Sequence, residues 1–345
     1  PGNAFVVAAD VSDAKQYPKV AALLTATLMV ATFLGSTIAG YLVDAGLIPA
    51  AIIYPGVVGL IGAVIAAAKM DKKPTTDGVR GKVDGIGMVL LAVFMLSLCL
   101  SLNQGANLGF GNPIIICGFV VAVVSLLALL KVEKKAEVPV IPLYLFKNKK
   151  YTGVIIAGAF ITFYEVVMAS YVPVSGQALM GLSASITGYF SLPRTIIAIV
   201  LAAPAAAWVV KNQAKNSAIG LAAAGLLAAV AFLGMIFVGA GSPAALPFIL
   251  IGITGFTEAL KGASFRPLVI SQLEQKDFGV GIGMMTATGT LLMTILLSIV
   301  GPVFTAVSAQ NMGSALRFVY IVTVCCALIA VAITVFATKD SKSKN

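Results

Sequence analysis

A chain of 345 residues that is 59% hydrophobic and only 10% charged lacks the polar surface of a soluble domain, in which about a quarter of residues are charged. The mean hydropathy of +1.03 agrees, so the net charge of +10 is read as loop charge flanking membrane spans and not as a nucleic-acid footprint. Histidine is absent and all four cysteines lie inside apolar runs, which argues against a metal centre, a serine–histidine triad or a disulfide framework.

In chain order, Pro1–Ala9 reads as the tail of an apolar helix entering the polar stretch Asp10–Lys19, or as a short re-entrant or interfacial segment. On the first reading the chain is the larger part of a longer protein. Ten apolar spans follow, at 20–42, 47–68, 84–103, 113–131, 151–172, 184–209, 217–239, 245–270, 280–305 and 316–337. Each is long enough to cross roughly 30 Å of hydrocarbon as a helix. Helices are expected because backbone groups in lipid must pair within their own segment, and no alternating strand pattern suggests a barrel. The predicted fold is an all-α polytopic membrane protein with ten complete transmembrane helices.

The basic residues orient the spans. Nineteen of the 23 lie at Lys15/Lys19, Lys69–Lys82, Lys131–Lys150, Lys211/Lys215, Lys276 and Lys339–Lys344, in every second connection, while the alternate connections hold only Arg317. By the positive-inside rule the rich set is cytoplasmic. This places the chain in an inner or plasma membrane, with a cytoplasmic C-terminus and lipid as its surroundings.

A weak internal echo links two spans. Shifting Lys15–Gly40 by 261 positions onto Lys276–Gly301 aligns Lys15 with Lys276, Thr25-Ala26-Thr27 with Thr286-Ala287-Thr288, Ile38 with Ile299 and Gly40 with Gly301. Both segments run outward from a charged loop, as expected of two transporter halves related by an axis along the membrane normal. A six-helix half with two helices inserted between halves gives that shift, and four further spans before Pro1 complete fourteen. The expected organisation is the end of an N-terminal half in 1–68, two inserted helices in 69–150, a C-terminal six-helix half in 151–338 and a basic tail in 339–345.

Charge inside the spans is where function is expected, since an ionised side chain at mid-bilayer costs about 2.5–3.5 kcal/mol even on lenient scales. Glu165 lies two-thirds along its span, where a carboxyl can bind and release a proton or hold a cation; alternatively Arg194 holds it in a structural ion pair near the outer interface. Arg194, after Pro193, either exchanges partners as a site opens or simply neutralises Glu165. Glu258 and Lys261 share one helix face and suit a salt bridge, with Thr254 continuing the polar stripe and Gly252, Gly255, Ala259 and Gly262 forming a packing face. Arg266 reads as an interfacial anchor. Thr286, Thr290, Thr294 and Ser298 recur every four residues, lining a wet pathway or bonding their own backbone. The aromatic residues Phe160, Phe163, Tyr164, Tyr171, Tyr189 and Phe190 surround Glu165, available for stacking on a planar cation or for packing.

Several segments resemble the central region of the fourteen-helix drug:proton antiporters of the major facilitator superfamily. They are Asp84-Gly85-Ile86-Gly87, the uncharged turn from Asn103-Gln104-Gly105 to Asn112-Pro113, and Pro139-Val140-Ile141-Pro142 through Asn148. Gly35-Ser36-Thr37-Ile38-Ala39-Gly40 is similar to that family's antiporter motif, Gly-Pro-x-x-Gly-Gly, with Ser36 in the proline's place and Ala39 in that of a glycine. The resemblance implies a helical bundle whose halves rock around a central cavity. It also implies proton-coupled efflux of small amphipathic or cationic compounds by a monomer without cofactors.

Competing readings are a porter of one specific, anionic metabolite, and a membrane-embedded enzyme or scaffold. No connection is long enough for a catalytic domain, no Gly-rich phosphate loop is present, and no acid, base and nucleophile cluster at one interface, so a gradient-driven transporter that is not an enzyme is favoured.

Overall fold

A computed structural model describes residues 17–69, 84–134, 141–274 and 277–339. Pro1–Ala9, Lys15, Pro139, Val140, Lys276 and the tail after Lys339 lie outside the described residues. Within them the chain forms twelve α-helices, and ten stretches are long and apolar enough to cross a membrane. In chain order these are α1 (Tyr17–Asp44), α2 (Ile48–Lys69), α3 (Gly85–Leu108), α4 (Pro113–Glu133), α5 (Lys149–Ser170), α6 (Val172–Met180), α7 (Ala184–Gly188), α8 (Ser191–Lys211), α9 (Gln213–Met235), α10 (Ala245–Ile270), α11 (Phe278–Ser308) and α12 (Met312–Lys339). The chain is an all-α polytopic membrane protein.

Helix starts follow local chemistry. A short polar side chain precedes several of them and accepts the first orphan backbone N–H groups, as such residues do at N-caps. Asp84 accepts from Gly87 at 2.8 Å, Asn112 from Ile114 at 2.9 Å, and Asn148 from Lys150 at 3.1 Å and Tyr151 at 3.2 Å. Asn212 caps α9 through the N–H of Lys215, which starts that helix four residues before the span expected at 217–239. The expected span 151–172 is also longer than hydropathy suggests: α5 passes through Tyr171 into α6, and the two form one 32-residue stretch, Lys149–Met180. Glu165 therefore lies near the midpoint of that stretch. Arg317, expected in a connection, belongs to the second turn of α12 and is exposed.

Six long helices make the core. α5 is the most buried helix, with Tyr151, Val154, Ile155, Ile161, Phe163 and Val167 fully enclosed, because it packs against α9, α10, α11 and α12. α10 packs between α8 and α9, which touch each other less, and α12 closes the bundle against α5 and α9. The α3–α4 hairpin lies along α11, while α1 packs on α7 and α8 and α2 packs on α1. α2 has no buried residue; its exposed Ile52, Val58 and Leu60 suit a helix whose surroundings are hydrocarbon rather than water.

The segment similar to an antiporter motif forms the seam between α1 and the α7–α8 corner. Gly40 is required there: a Cβ added to it would sit 2.5 Å from the backbone oxygen of Ala184. Gly35 has no such constraint, its nearest neighbour being the Tyr54 hydroxyl at 3.5 Å from an added Cβ; that hydroxyl donates to the Gly35 carbonyl at 2.6 Å. Ser36, in the place of the motif's proline, bridges the seam instead of bending it, with its hydroxyl 3.3 Å from the Gly188 carbonyl and 3.2 Å from the Ser191 hydroxyl. Ala39 is half-buried on the same helix. At the end of α1, Asp44 accepts from the backbone N–H of Ala184 at 2.9 Å and of Ser185 at 2.8 Å, and from the Ser185 hydroxyl.

The echoed segments thus pack differently, since an added Cβ at Gly301 would meet nothing within 4 Å. We expect Gly40→Val to force α1 away from α7 and lower stability by about 1–3 kcal/mol, the usual range for overpacking. Thermal unfolding in detergent measures it, and Gly301→Val should leave the midpoint unchanged.

Candidate functional site

Four ionisable side chains and one tyrosine meet where α5, α8 and α10 cross. Glu258 lies midway along α10, and its Oε2 is the hub. It accepts from the Tyr164 hydroxyl at 2.6 Å and from Arg194 Nη2 at 2.9 Å, and Lys261 Nζ, one turn along the same helix, lies 3.4 Å away. Lys261 also forms an ion pair with Glu165 Oε1 on α5. Both cations lie over the Tyr164 ring, with Lys261 Nζ 5.6 Å and the Arg194 Cζ 6.0 Å from its centroid, within range of the attraction between a cation and an aromatic face.

The cluster contains two carboxylates and two cations, so its formal charge is zero. Neutrality matters here because each isolated charge costs about 2.5–3.5 kcal/mol at mid-bilayer, whereas opposite charges about 4 Å apart attract by roughly 4 kcal/mol at an effective dielectric of 20. Exposure is uneven: the side chains of Arg194, Lys261 and Glu258 are 5%, 11% and 13% exposed, and that of Glu165 is 33% exposed. Glu165 is the accessible margin of the cluster and Arg194 its buried root.

Backbone packing holds these groups in reach. Gly255 lies one turn before Glu258, and a Cβ added there would meet the Arg194 carbonyl oxygen at 2.8 Å and Ile197 Cβ at 2.7 Å. The glycine therefore lets α8 approach α10 closely enough for Arg194 to reach Glu258. Gly252 supports the same crossing against Pro193, while Gly262 faces open space, so the expected packing face is confined to its first part. Tyr164 is fixed by Phe232 of α9, their ring centroids 6.4 Å apart.

The expected pairing of Arg194 with Glu165 is not formed. Arg194 is bound to Glu258 and Lys261 is shared between Glu258 and Glu165, because Tyr164 and Glu165 point to different sides of α5 and only the Tyr164 side faces Arg194. The expected Glu258–Lys261 pair is present. Thr254 is fully buried, and its hydroxyl donates to the Ile251 carbonyl at 2.6 Å, so it does not extend the charged cluster.

The stripe of Thr286, Thr290, Thr294 and Ser298 runs down α11 apart from the cluster. Each hydroxyl donates to the carbonyl four residues earlier, at 3.4, 3.1, 2.8 and 2.9 Å in turn. This leaves the oxygen lone pairs for any further contact. Phe163, Tyr164 and Phe190 are buried in the core, which removes them as stacking platforms in this arrangement, and Tyr171 meets Phe304 edge-on at 4.9 Å. Tyr164 is the member of the cluster that sequence reasoning had grouped only with the aromatics. Its adjacency to Glu165 is visible in the sequence, but its orientation toward Glu258 is not.

A bundle of ten helices long and apolar enough to cross a membrane encloses this neutral cluster of paired charges. The sequence pattern described as the Major Facilitator Superfamily matches residues 2–296, and the chain belongs to that family, whose members are transporters of small molecules and not enzymes. It is similar to the multidrug transporter protein MdtP of Bacillus subtilis, 29% identical over 143 residues, covering 41% of this chain and 26% of that protein. Multidrug resistance protein 3 of Bacillus subtilis is 30% identical over 129 residues, covering 37% of this chain and 25% of that protein. The quinolone resistance protein NorB of Staphylococcus aureus strain MRSA252 is 34% identical over 100 residues, covering 28% of this chain and 22% of that protein. Each match thus spans about a quarter of the relative's length.

Removing Arg194 alone, as in Arg194→Met, leaves the Glu258 carboxylate short of its closest cation and should cost about 3–5 kcal/mol. The double variant Arg194→Met/Glu258→Gln should recover part of that loss in detergent thermal unfolding. Tyr164→Phe removes one hydrogen bond to a charged group and should cost about 1.5–3 kcal/mol by the same measurement.

Proposed function

We propose that this chain carries out proton-coupled efflux of small amphipathic or cationic compounds by alternating access, in the plasma membrane and with its C-terminus in the cytoplasm. The observation that carries the reading is Glu165, a carboxylate one-third exposed at the margin of an otherwise buried cluster of balanced charge. A carboxylate so placed can exchange its tethered cation, Lys261, for a cationic compound, while a change in the cluster's protonation alters the balance that keeps it stable in hydrocarbon. The names of the similar multidrug and quinolone-resistance proteins support efflux of amphipathic compounds, and the basic connections support the orientation.

The seam from Gly35 through Ser36 and Ala39 to Gly40 supports a role in holding α1 against the α7–α8 corner during one stage of the cycle. Thr286, Thr290, Thr294 and Ser298, with two of the four exposed, fit a lining role on α11. An anionic metabolite is the weaker reading, because Arg194 and Lys261 each already have a carboxylate partner. A scaffold has no use for four charges within its spans.

The test uses the full chain in vesicles, following dissipation of an imposed pH gradient on addition of cationic, anionic and neutral compounds. Cationic compounds should collapse the gradient, and Glu165→Gln should abolish that response while protein remains in the membrane. A wild-type response to no compound class counts against proton exchange, and an unchanged response in Glu165→Gln removes that residue from the mechanism.

A further inference from the structure

We propose that Lys261, and not Glu165, carries the exchanged proton, and that the transported class is a monovalent organic cation that takes the place of the Lys261 ammonium on Glu165. This rests on the cation-efflux reading above and assigns its two tasks to two different residues.

Lys261 Nζ sits between two carboxylates: it pairs with Glu165 on α5 and lies 3.4 Å from Glu258 on its own helix. It can therefore leave Glu165 without losing every partner. Glu258 in turn depends on Lys261 least, since Arg194 Nη2 at 2.9 Å and the Tyr164 hydroxyl at 2.6 Å hold the same Oε2. Glu165 has the greater exposure of the two carboxylates, 33% against 13%, and is the one an incoming cation reaches.

Charge balance then dictates the coupling. In the state observed, Glu165, Glu258, Arg194 and Lys261 sum to zero. A monovalent cation bound to Glu165 brings the cluster to a net positive charge, which is unfavourable at mid-bilayer. Loss of one proton from Lys261 to water restores neutrality: an N–H bond of the ammonium breaks, its electron pair stays on nitrogen, and the neutral amine remains beside Glu258. Arg194 cannot serve, because a guanidinium keeps its charge at any accessible pH. When the organic cation leaves, Glu165 is uncompensated until Lys261 takes a proton back from the opposite side. The two neutral states, empty with Lys261 protonated and loaded with it deprotonated, are the ones suited to crossing between inward and outward forms.

Other titratable groups do not intrude. Of the helices packed against α10, α5 presents Tyr164 and Glu165 and α8 presents Arg194. α9 contributes Phe232 behind Tyr164, its one ionisable residue, Lys215, lying in the first turn, and α11 has no ionisable side chain from Phe278 to Ser308.

The test uses tetraphenylphosphonium, a cation with no dissociable proton, and the purified full chain in weak buffer. Wild-type protein should release a proton for each probe bound, with affinity rising about tenfold per pH unit. Lys261→Met should still bind the probe, with no proton release and an affinity independent of pH, whereas Glu165→Gln should lose binding. In vesicles, Lys261→Arg keeps a permanent cation in the cluster and should lose accumulation of the probe driven by a pH gradient; this variant decides the matter if Lys261→Met does not fold. Proton release by Lys261→Met, loss of its binding, or gradient-driven accumulation by Lys261→Arg overturns the assignment and leaves cation efflux standing. Absence of both probe binding and proton release in the wild type overturns the efflux reading itself.

Discussion

The Glu258 carboxylate is the interaction on which the arrangement of α5, α8 and α10 depends. One oxygen receives the Tyr164 hydroxyl from α5 and Arg194 from α8, with Lys261 alongside on α10. In water such contacts would be worth little, because exposed ion pairs are screened and their solvation is surrendered. Inside a helical bundle surrounded by hydrocarbon each charge has nowhere else to go, so the partners that neutralise it also fix which faces of three helices meet. Gly255 belongs to the same constraint: the hydrogen-bond distance between Arg194 and Glu258 presupposes a backbone approach that a Cβ would prevent.

Two kinds of adhesion divide the molecule. The six-helix core is held by enclosed apolar side chains around α5 and by the charged cluster, a combination that leaves few ways to repack. The seam between α1 and the α7–α8 corner is built differently, from a glycine contact at Gly40, the hydroxyl of Ser36 and the Asp44 carboxylate on the backbone of Ala184 and Ser185. The ring of Tyr189 adds contacts with Phe33, centroids 6.3 Å apart, and with Tyr41, 6.1 Å apart.

Asn112, Asn148 and Asn212 each stand before an apolar run, and the structure makes each the cap of the helix that follows. Glu165, Arg194, Glu258 and Lys261 are conspicuous in the sequence because they interrupt apolar runs, and the structure does gather all four. Their partners were less legible. Glu165, late in one span, and Arg194, early in the next, fall toward the same side and suggest a pair, yet Tyr164 occupies the α5 face toward Arg194 and the one-residue offset turns Glu165 by about 100° around the helix, toward Lys261. The hydroxyl stripe on α11 illustrates the opposite limit: a period of four is visible in the sequence, but that same period brings each hydroxyl to the carbonyl one turn before it.

The sequence by itself determined that this chain crosses a membrane repeatedly, that its spans are helices and which charges lie within them. Hydropathy and charge are properties of each segment taken alone, and hydrocarbon admits almost no other solution. Tertiary structure decided how those charges are divided among one another, that Tyr164 belongs with them, and that the helix of Glu165 is prolonged by α6. Pairing depends on the rotation, depth and separation of helices far apart in the chain, and these are set by close approaches such as that at Gly255 and by the packing of α5 against α9, α10, α11 and α12.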